Sequence, residues 1–232
     1  MRTSTISSIF LIIVLCVTGQ ALADSMIAPN LPHYLFNLIP FSSTFGDGRY
    51  QQVYDSSIFP SRPIHIESLA FSPSISGTYT ANIDIRLGYT KKEVGELSAD
   101  LDSNVQGPLT SVFSNPTFSQ SITGGSDTFS LVFDFSSSPF LLTSTSRNLL
   151  LDIVISNQNL DVACSRFDYL ISGLSSRAYD SEYYGNGPSD LALRTLVGFT
   201  SVPPVPEPAT MLLLGSGLIG LAGYGRKKFF KK

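Results

Sequence analysis

The chain has 232 residues, of which 14% are charged, against about 25% in ordinary soluble domains, and it lacks tryptophan. Its formal net charge of -3 is unevenly spread: from Asp24 to Pro204 seventeen Asp or Glu face nine Lys or Arg, a balance of -8, while five basic residues crowd the last seven positions. An acidic body excludes the electrostatic footprint of a nucleic-acid binder, and a basic cluster behind an apolar run reads as a membrane flank.

Taken from the N-terminus, the chain opens with the layout of a secretory signal. Arg2 supplies the positive start, Ile6 to Val17 is dominated by apolar residues, and Ala21-Leu22-Ala23 forms a small-x-small cleavage pattern, so cleavage by signal peptidase is expected after Ala23. The apolar run of twelve residues is shorter than the ~20 of a spanning helix. Leu15 before Cys16 is too large for a lipobox. With the signal removed, Cys164 is the sole cysteine, no internal disulfide forms, and burial as a small apolar side chain is the expected state.

The expected domains are a signal peptide helix over 1–23, a body over 24–201, a proline-rich linker over 202–208, and a transmembrane helix with basic tail over 209–232. In the body, period-two alternation is the main signal. Tyr79, Ala81, Ile83, Ile85, Leu87 and Tyr89 alternate with Thr80, Asn82, Asp84, Arg86, Gly88 and Thr90, a strand with one wet face. Phe129 to Phe135 repeats the pattern, Leu149 to Ile155 is apolar on nearly both faces like a central strand, and shorter candidates are Tyr50 to Tyr54, Ile64 to Phe71, Val112 to Phe118 and Leu191 to Phe199.

Turn clusters separate these runs, at Gly46-Asp47-Gly48, Pro73 to Gly77, Gly124-Gly125-Ser126, Ser136 to Pro139 and Gly185-Asn186-Gly187-Pro188. A helical turn or two fits only Lys91 to Asp102. Seven or eight strands so spaced predict an all-β fold, a two-sheet antiparallel sandwich of jelly-roll type.

Catalytic constellations are sparse. His33 and His65 lack metal-ligand spacing, no cysteine pair accompanies them, and neither a nucleophile elbow nor a phosphate loop occurs. His65 alternates with Ile64 and Ile66 and is expected to face solvent. Asp100, Asp102 and Asn104 have oxygens at alternate positions suited to calcium, but Val105 stands where an EF-hand needs glycine and Ser111 where it needs Glu. No cofactor is expected beyond such a calcium ion. Tyr179, Tyr183 and Tyr184, beside a glycine-rich turn, offer flat apolar faces with hydroxyl tips, suited to stacking on sugars.

At the C-terminal end Val202-Pro203-Pro204-Val205-Pro206-Glu207-Pro208 neither continues a strand ladder nor enters a helix interior, so it is an extended linker. Ala209 to Tyr224 then runs apolar and glycine-rich, ahead of Arg226, Lys227, Lys228, Lys231 and Lys232. Sixteen helical residues span about 24 Å, a short membrane anchor that bilayer thinning and snorkelling lysines accommodate. The basic cluster stays cytoplasmic and places the body across the inner membrane.

Val205-Pro206-Glu207-Pro208-Ala209-Thr210, followed by Leu212-Leu213-Leu214-Gly215-Ser216-Gly217-Leu218 and a basic terminus, resembles the PEP-CTERM sorting signal. The resemblance implies recognition by exosortase, an integral-membrane enzyme resembling a cysteine transpeptidase, with Pro206, Glu207 and Pro208 as recognition residues and this protein as substrate. Gly48 to Tyr54 with Phe59-Pro60 and the following IHIESLAF strand is similar to an opening in other bodies that carry this tail, which supports the sandwich without indicating an activity.

The expected function is that of a non-catalytic, exported cell-surface or extracellular-matrix protein, anchored transiently in the inner membrane and associated with exopolysaccharide or biofilm. A secreted polysaccharide hydrolase and an ice-binding protein are the alternatives. The first needs convergent carboxylates across a cleft, the second a flat, regular threonine array.

Overall fold

The computed structural model of the chain describes residues 23–30, 35–143, 146–160, 166–203 and 213–221. Ala21, His33, Cys164, the Val205–Pro208 motif and the basic residues from Arg226 onward lie outside the described residues. One compact unit is Leu22–Val202, the β-rich body. The described part of the other unit is a short helix over 213–221, and no helix among the described residues is long and apolar enough to cross a membrane.

The body runs β1 (Ala23–Ala28), β2 (Leu35–Asn37), β3 (Gly48–Tyr54), β4 (Ile64–Phe71), β5 (Gly77–Thr90), β6 (Gln106–Ile122) and β7 (Leu131–Asp134). It continues with β8 (Phe140–Leu142), β9 (Asn148–Leu160), β10 (Phe167–Leu170), β11 (Ser175–Ser181), β12 (Gly185–Ser189), β13 (Ala192–Leu193) and β14 (Thr195–Ser201). These strands build a six-stranded sheet in the order β12-β11-β3-β9-β5-β6, a five-stranded sheet β1-β14-β4-β7 with β8 also beside β4, and a small sheet β13-β10-β2. All of these pairings are antiparallel and neither large sheet closes into a barrel. The all-β class is as expected, but the architecture has a third sheet and nearly twice the anticipated strands. Segments of two to four residues, such as β2 and β13, are too short to show a period.

The inner faces of the three sheets share one apolar core. On β5 the residues Tyr79, Ala81, Ile83, Ile85 and Leu87 are buried while the intervening Thr80, Asn82, Asp84 and Arg86 are half-buried, because successive side chains take opposite faces. β9 is central, paired with β3 on one side and β5 on the other. Its odd positions Leu149, Leu151, Ile153 and Ile155 enter the core.

β4 changes phase along its length. Ile64 and Ile66 point inward, then Leu69 and Phe71 do so, and the switch coincides with a bulge at which Phe199 pairs with Ile66 and Gly198 with Ser68. Glu67 is the extra residue, and one extra residue moves all later side chains to the opposite parity. Its side chain is held outside by a hydrogen bond from Thr200 Oγ1 to Oε1, 2.7 Å.

Phe133 of β7 sits at the centre of the aromatic core, with ring centroids of Phe118, Phe113, Phe41 and Phe71 at 5.1, 5.3, 5.8 and 6.1 Å. Polar tips on the inner face of β3 join the sheets. Gln52 donates from Nε2 to Leu193 O and accepts from Leu193 N, at 2.9 and 2.8 Å, and Tyr54 shares a 2.7 Å hydrogen bond with Thr195. These buried amide and hydroxyl groups thereby satisfy one another, which holds the small sheet in place.

The other face of the six-stranded sheet is partly covered too. The segment between β5 and β6, expected to hold a helical turn or two, is a loop ending in a 3-10 turn at Leu101–Asn104. It lays Leu97 and Leu101 over Val53, Leu150 and Ala178, forming a second, smaller apolar cluster.

Candidate functional site

Beside that second cluster, the outer face of the six-stranded sheet carries a polar centre built from four strands. Asp152 projects outward from β9, flanked in register by Gln51 of β3 and Arg86 of β5. Its carboxylate is fully buried and accepts from Arg49 Nε, at 3.0 and 3.1 Å to its two oxygens, and from Arg49 Nη2 at 2.6 Å. Arg86 Nη2 at 3.1 Å and Gln51 Nε2 at 3.2 Å complete the set. Removing a carboxylate from water is costly, and this one is compensated by two cations and an amide.

The network extends to both sides. Arg49 Nη1 donates to Asp102 Oδ1 at 2.6 Å, and Arg86 lies 3.6 Å from Asp84, which accepts from Ser111 Oγ at 2.8 Å. The hydrogen bonds of Asp152 and then Asp102 hold the Arg49 guanidinium protonated well above its ordinary range, against the effect of its own burial. Arg49 in turn holds Asp102 below the usual carboxylate range. Arg49, Ala99, Asp100, Leu101, Asp102 and Asp180 line a shallow cleft of about 260 Å³ at this point.

Two of the calcium candidates, Asp100 and Asp102, line this cleft, and all three are otherwise engaged. Asp100 Oδ1 caps the 3-10 turn by accepting from Asp102 N, Asp102 is paired with Arg49, and Asn104 Oδ1 accepts from Ser98 N while Nδ2 donates to Gln51 Oε1. Their oxygens therefore serve three different donors, and Asn104 is buried. Among the described residues no group of three or more His, Cys, Asp or Glu side chains is placed to hold a metal.

The three candidate tyrosines separate. Tyr179 on β11 is half-buried against the core, its ring 6.3 Å from that of Phe45 and 5.5 Å from the guanidinium carbon of buried Arg177. It is a packing residue. Tyr183 and Tyr184, in the turn between β11 and β12, are 64% and 42% exposed. Their support is the turn before β3: Tyr184 Oη lies 3.4 Å from Thr44 Oγ1, and a Cβ on Gly46 would sit 2.6 Å from the Tyr183 ring. Gly46 also has φ +71°, so both its conformation and the tyrosine above it require glycine.

A second feature of the outer face is a set of hydroxyl side chains in cross-strand register. Thr78 is opposite Ser121 and Thr80 opposite Ser119, across β5 and β6, and the next outward pair sets the carboxylate of Asp84 opposite Ser114. β6 is an edge strand, seventeen residues long and mostly exposed. His65 takes the outward parity on β4 but is only half-exposed, its Nδ1 being buried and lacking a hydrogen-bond partner.

The Asp152 centre was not apparent from sequence. Its one signal is an acid inside the apolar run Leu149-Leu150-Leu151-Asp152-Ile153-Val154-Ile155, where only a paired carboxylate is tolerated. Its partners are 103 and 66 residues away and meet it only through strand register.

Among sequence positions with a predicted role, Ala23 is the first residue of β1, directly opposite Thr200 of β14. β14 ends at Ser201, after which Val202 N donates to Pro63 O at 3.1 Å. Comparison with known proteins adds three findings. No curated protein matches the chain. A solved structure, that of infectious bursal disease virus Gx strain, is similar over 79% of this chain and 34% of that one, at 14% identity and a TM-score of 0.25. This chain thus spans about a third of that chain's length. The family model described as the PEP-CTERM protein-sorting motif matches residues 204–227, so the chain carries that motif immediately behind its last strand.

Proposed function

We propose that this protein is an exported surface or extracellular-matrix component, delivered across the inner membrane by an N-terminal signal, held there by its C-terminus, and released by exosortase. The sorting motif over 204–227 is the observation that carries this reading, since such a motif marks a protein exported through exosortase and anchored transiently at its C-terminus. The body is a non-catalytic module that associates with exopolysaccharide. Two exposed tyrosines at one hairpin and a row of Ser and Thr hydroxyls across β5 and β6 support that part, because sugars are held by stacking on aromatic faces and by arrays of hydroxyl hydrogen bonds. The carboxylates around the cleft support a structural role, Asp152 and Asp102 being engaged by arginines.

Two experiments test the two halves. Deleting Pro206–Pro208 in the native host is expected to trap full-tailed protein in the membrane fraction; surface delivery with tail loss at the normal rate would refute the sorting role. The trimmed body, residues 24–203, is expected to be retained by exopolysaccharide from that host without degrading it. Release of oligosaccharides in that assay would make it a hydrolase instead.

A further inference from the structure

Among the described residues β1 has a single strand neighbour, β14, and β14 is the last strand of the body. The register pairs Ala23 with Thr200, Asp24 with Phe199 and Ser25 with Gly198, and continues to Ala28 opposite Thr195. β1 is not a loose fringe, because Ala28 is fully buried in the core and Met26 packs against it. The peptide bond between Ala23 and Asp24 thus joins the first two paired residues of an antiparallel ladder. Proteases take their substrates as extended chains with free backbone groups, so a bond inside a ladder is cut only when the strand opens.

β14 cannot accept β1 until residues 195–201 have themselves crossed the membrane, and those residues immediately precede the sorting motif. We propose that N-terminal processing and closure of the body are ordered: the Ala23–Asp24 bond is hydrolysed while β1 is undocked, and the freed β1 then latches onto β14 as the last step of assembly. Water adds across the amide in the cut, leaving a carboxylate on Ala23 of the released leader and an amine on Asp24 of the body. The latch gives β14 its second neighbour, from Thr195 to Thr200. A precursor that folds before it is cut is protected from signal peptidase by its own C-terminal strand. This inference rests on the export reading above and on cleavage after Ala23.

The test uses full-length precursor in detergent with purified signal peptidase, its products read by intact mass. Precursor freshly diluted from urea is compared with the same precursor after refolding, and with a refolded Met26→Pro/Ile27→Pro variant whose β1 cannot hold the ladder. Refolding is expected to slow the cut at least about tenfold, and the variant to restore it, since cleavage then tracks the open population. Equal rates before and after refolding, with product starting at Asp24, would overturn the ordering while leaving the export reading intact. A product starting elsewhere in every sample would overturn the ordering together with the assigned cleavage point. The comparison across refolding stands even where the proline variant fails to fold.

Discussion

Arg49 and Asp152 form a three-contact ion pair: the guanidinium donates from Nε to both carboxylate oxygens at 3.0 and 3.1 Å and from Nη2 at 2.6 Å, joining β3 to β9 on the outer face. Arg49 keeps partial contact with water, with 23% of its side chain exposed, whereas Asp152 has none. The dependence is therefore asymmetric. Asp152→Asn leaves two arginines facing a neutral amide beneath the sheet surface, and it is expected to destabilise the body by about 2–4 kcal/mol. Arg49→Met is expected to cost less, because Arg86 and Gln51 still serve Asp152. Urea denaturation of the two variants checks the order; equal losses would mean that Asp152 is not the hub.

Phe133→Ala removes the ring that four other phenylalanines contact. The loss combines burial and an unfilled cavity, about 3–5 kcal/mol by analogy with other large-to-small core changes. Phe129, the predicted start of the same run, lies outside β7, and its replacement is expected to have a smaller effect. Thermal melts of the two variants measure this.

Asp168 contributes one pH dependence of stability, opposite in sign to that of Asp102. Burial raises its pKa despite the opposing hydrogen bonds and the nearby Arg194 guanidinium, whose Nη1 lies 3.3 Å from Oδ2. A carboxyl whose folded pKa lies above its unfolded value binds its proton more tightly in the folded state, so it opposes folding at neutral pH, and that penalty is relieved as pH falls through the folded pKa. Arg194 retains Asp127 at 2.7 Å when Asp168 is neutralised. Asp168→Asn is therefore expected to be more stable than wild type at neutral pH, with the difference disappearing in acid. Melting curves from pH 4 to 8 test the sign.

Tyr183→Ala/Tyr184→Ala is expected to leave stability nearly unchanged and to weaken retention on exopolysaccharide at least about tenfold, each stacked aromatic being worth roughly 0.5–1.5 kcal/mol beyond its area. Tyr179→Ala is expected to do the reverse, lowering the melting temperature because its ring packs against the core beside Phe45. Affinity chromatography paired with melting curves separates the two roles. Undiminished retention by the double variant would locate sugar contact elsewhere, the β5–β6 hydroxyl row being the next surface to test.

How legible the fold was depended on the length and regularity of each run. Ile64–Phe71 was bounded correctly, because Pro63 before it and Ser72-Pro73 after it stop the ladder on both sides. β9 was recognisable as central from its apolar character on both faces. β6 was anticipated at seven residues and has seventeen, since an edge strand carrying Ser, Thr and two prolines on exposed positions lacks the apolar alternation that marks a half-buried one. β1 was missed altogether: its residues are small or polar around Met26 and Ile27, and they become a strand only because β14 offers an edge.

The site divides along the same line. The sorting motif is contiguous, and its chemistry lies in the order of proline, glutamate, apolar run and basic tail, so a linear reading was enough to find it. The same holds for the all-β class, because period-two alternation is a local property of the backbone. The tertiary structure decided what requires distant segments to meet: Asp152 between Arg49 and Arg86, the commitment of Asp100, Asp102 and Asn104 to three separate donors, and the burial of Tyr179 but not Tyr183. The pairing of Ala23 with Thr200 belongs there too, since strand register is set by the whole sheet and no local pattern encodes which edge a short polar strand will join.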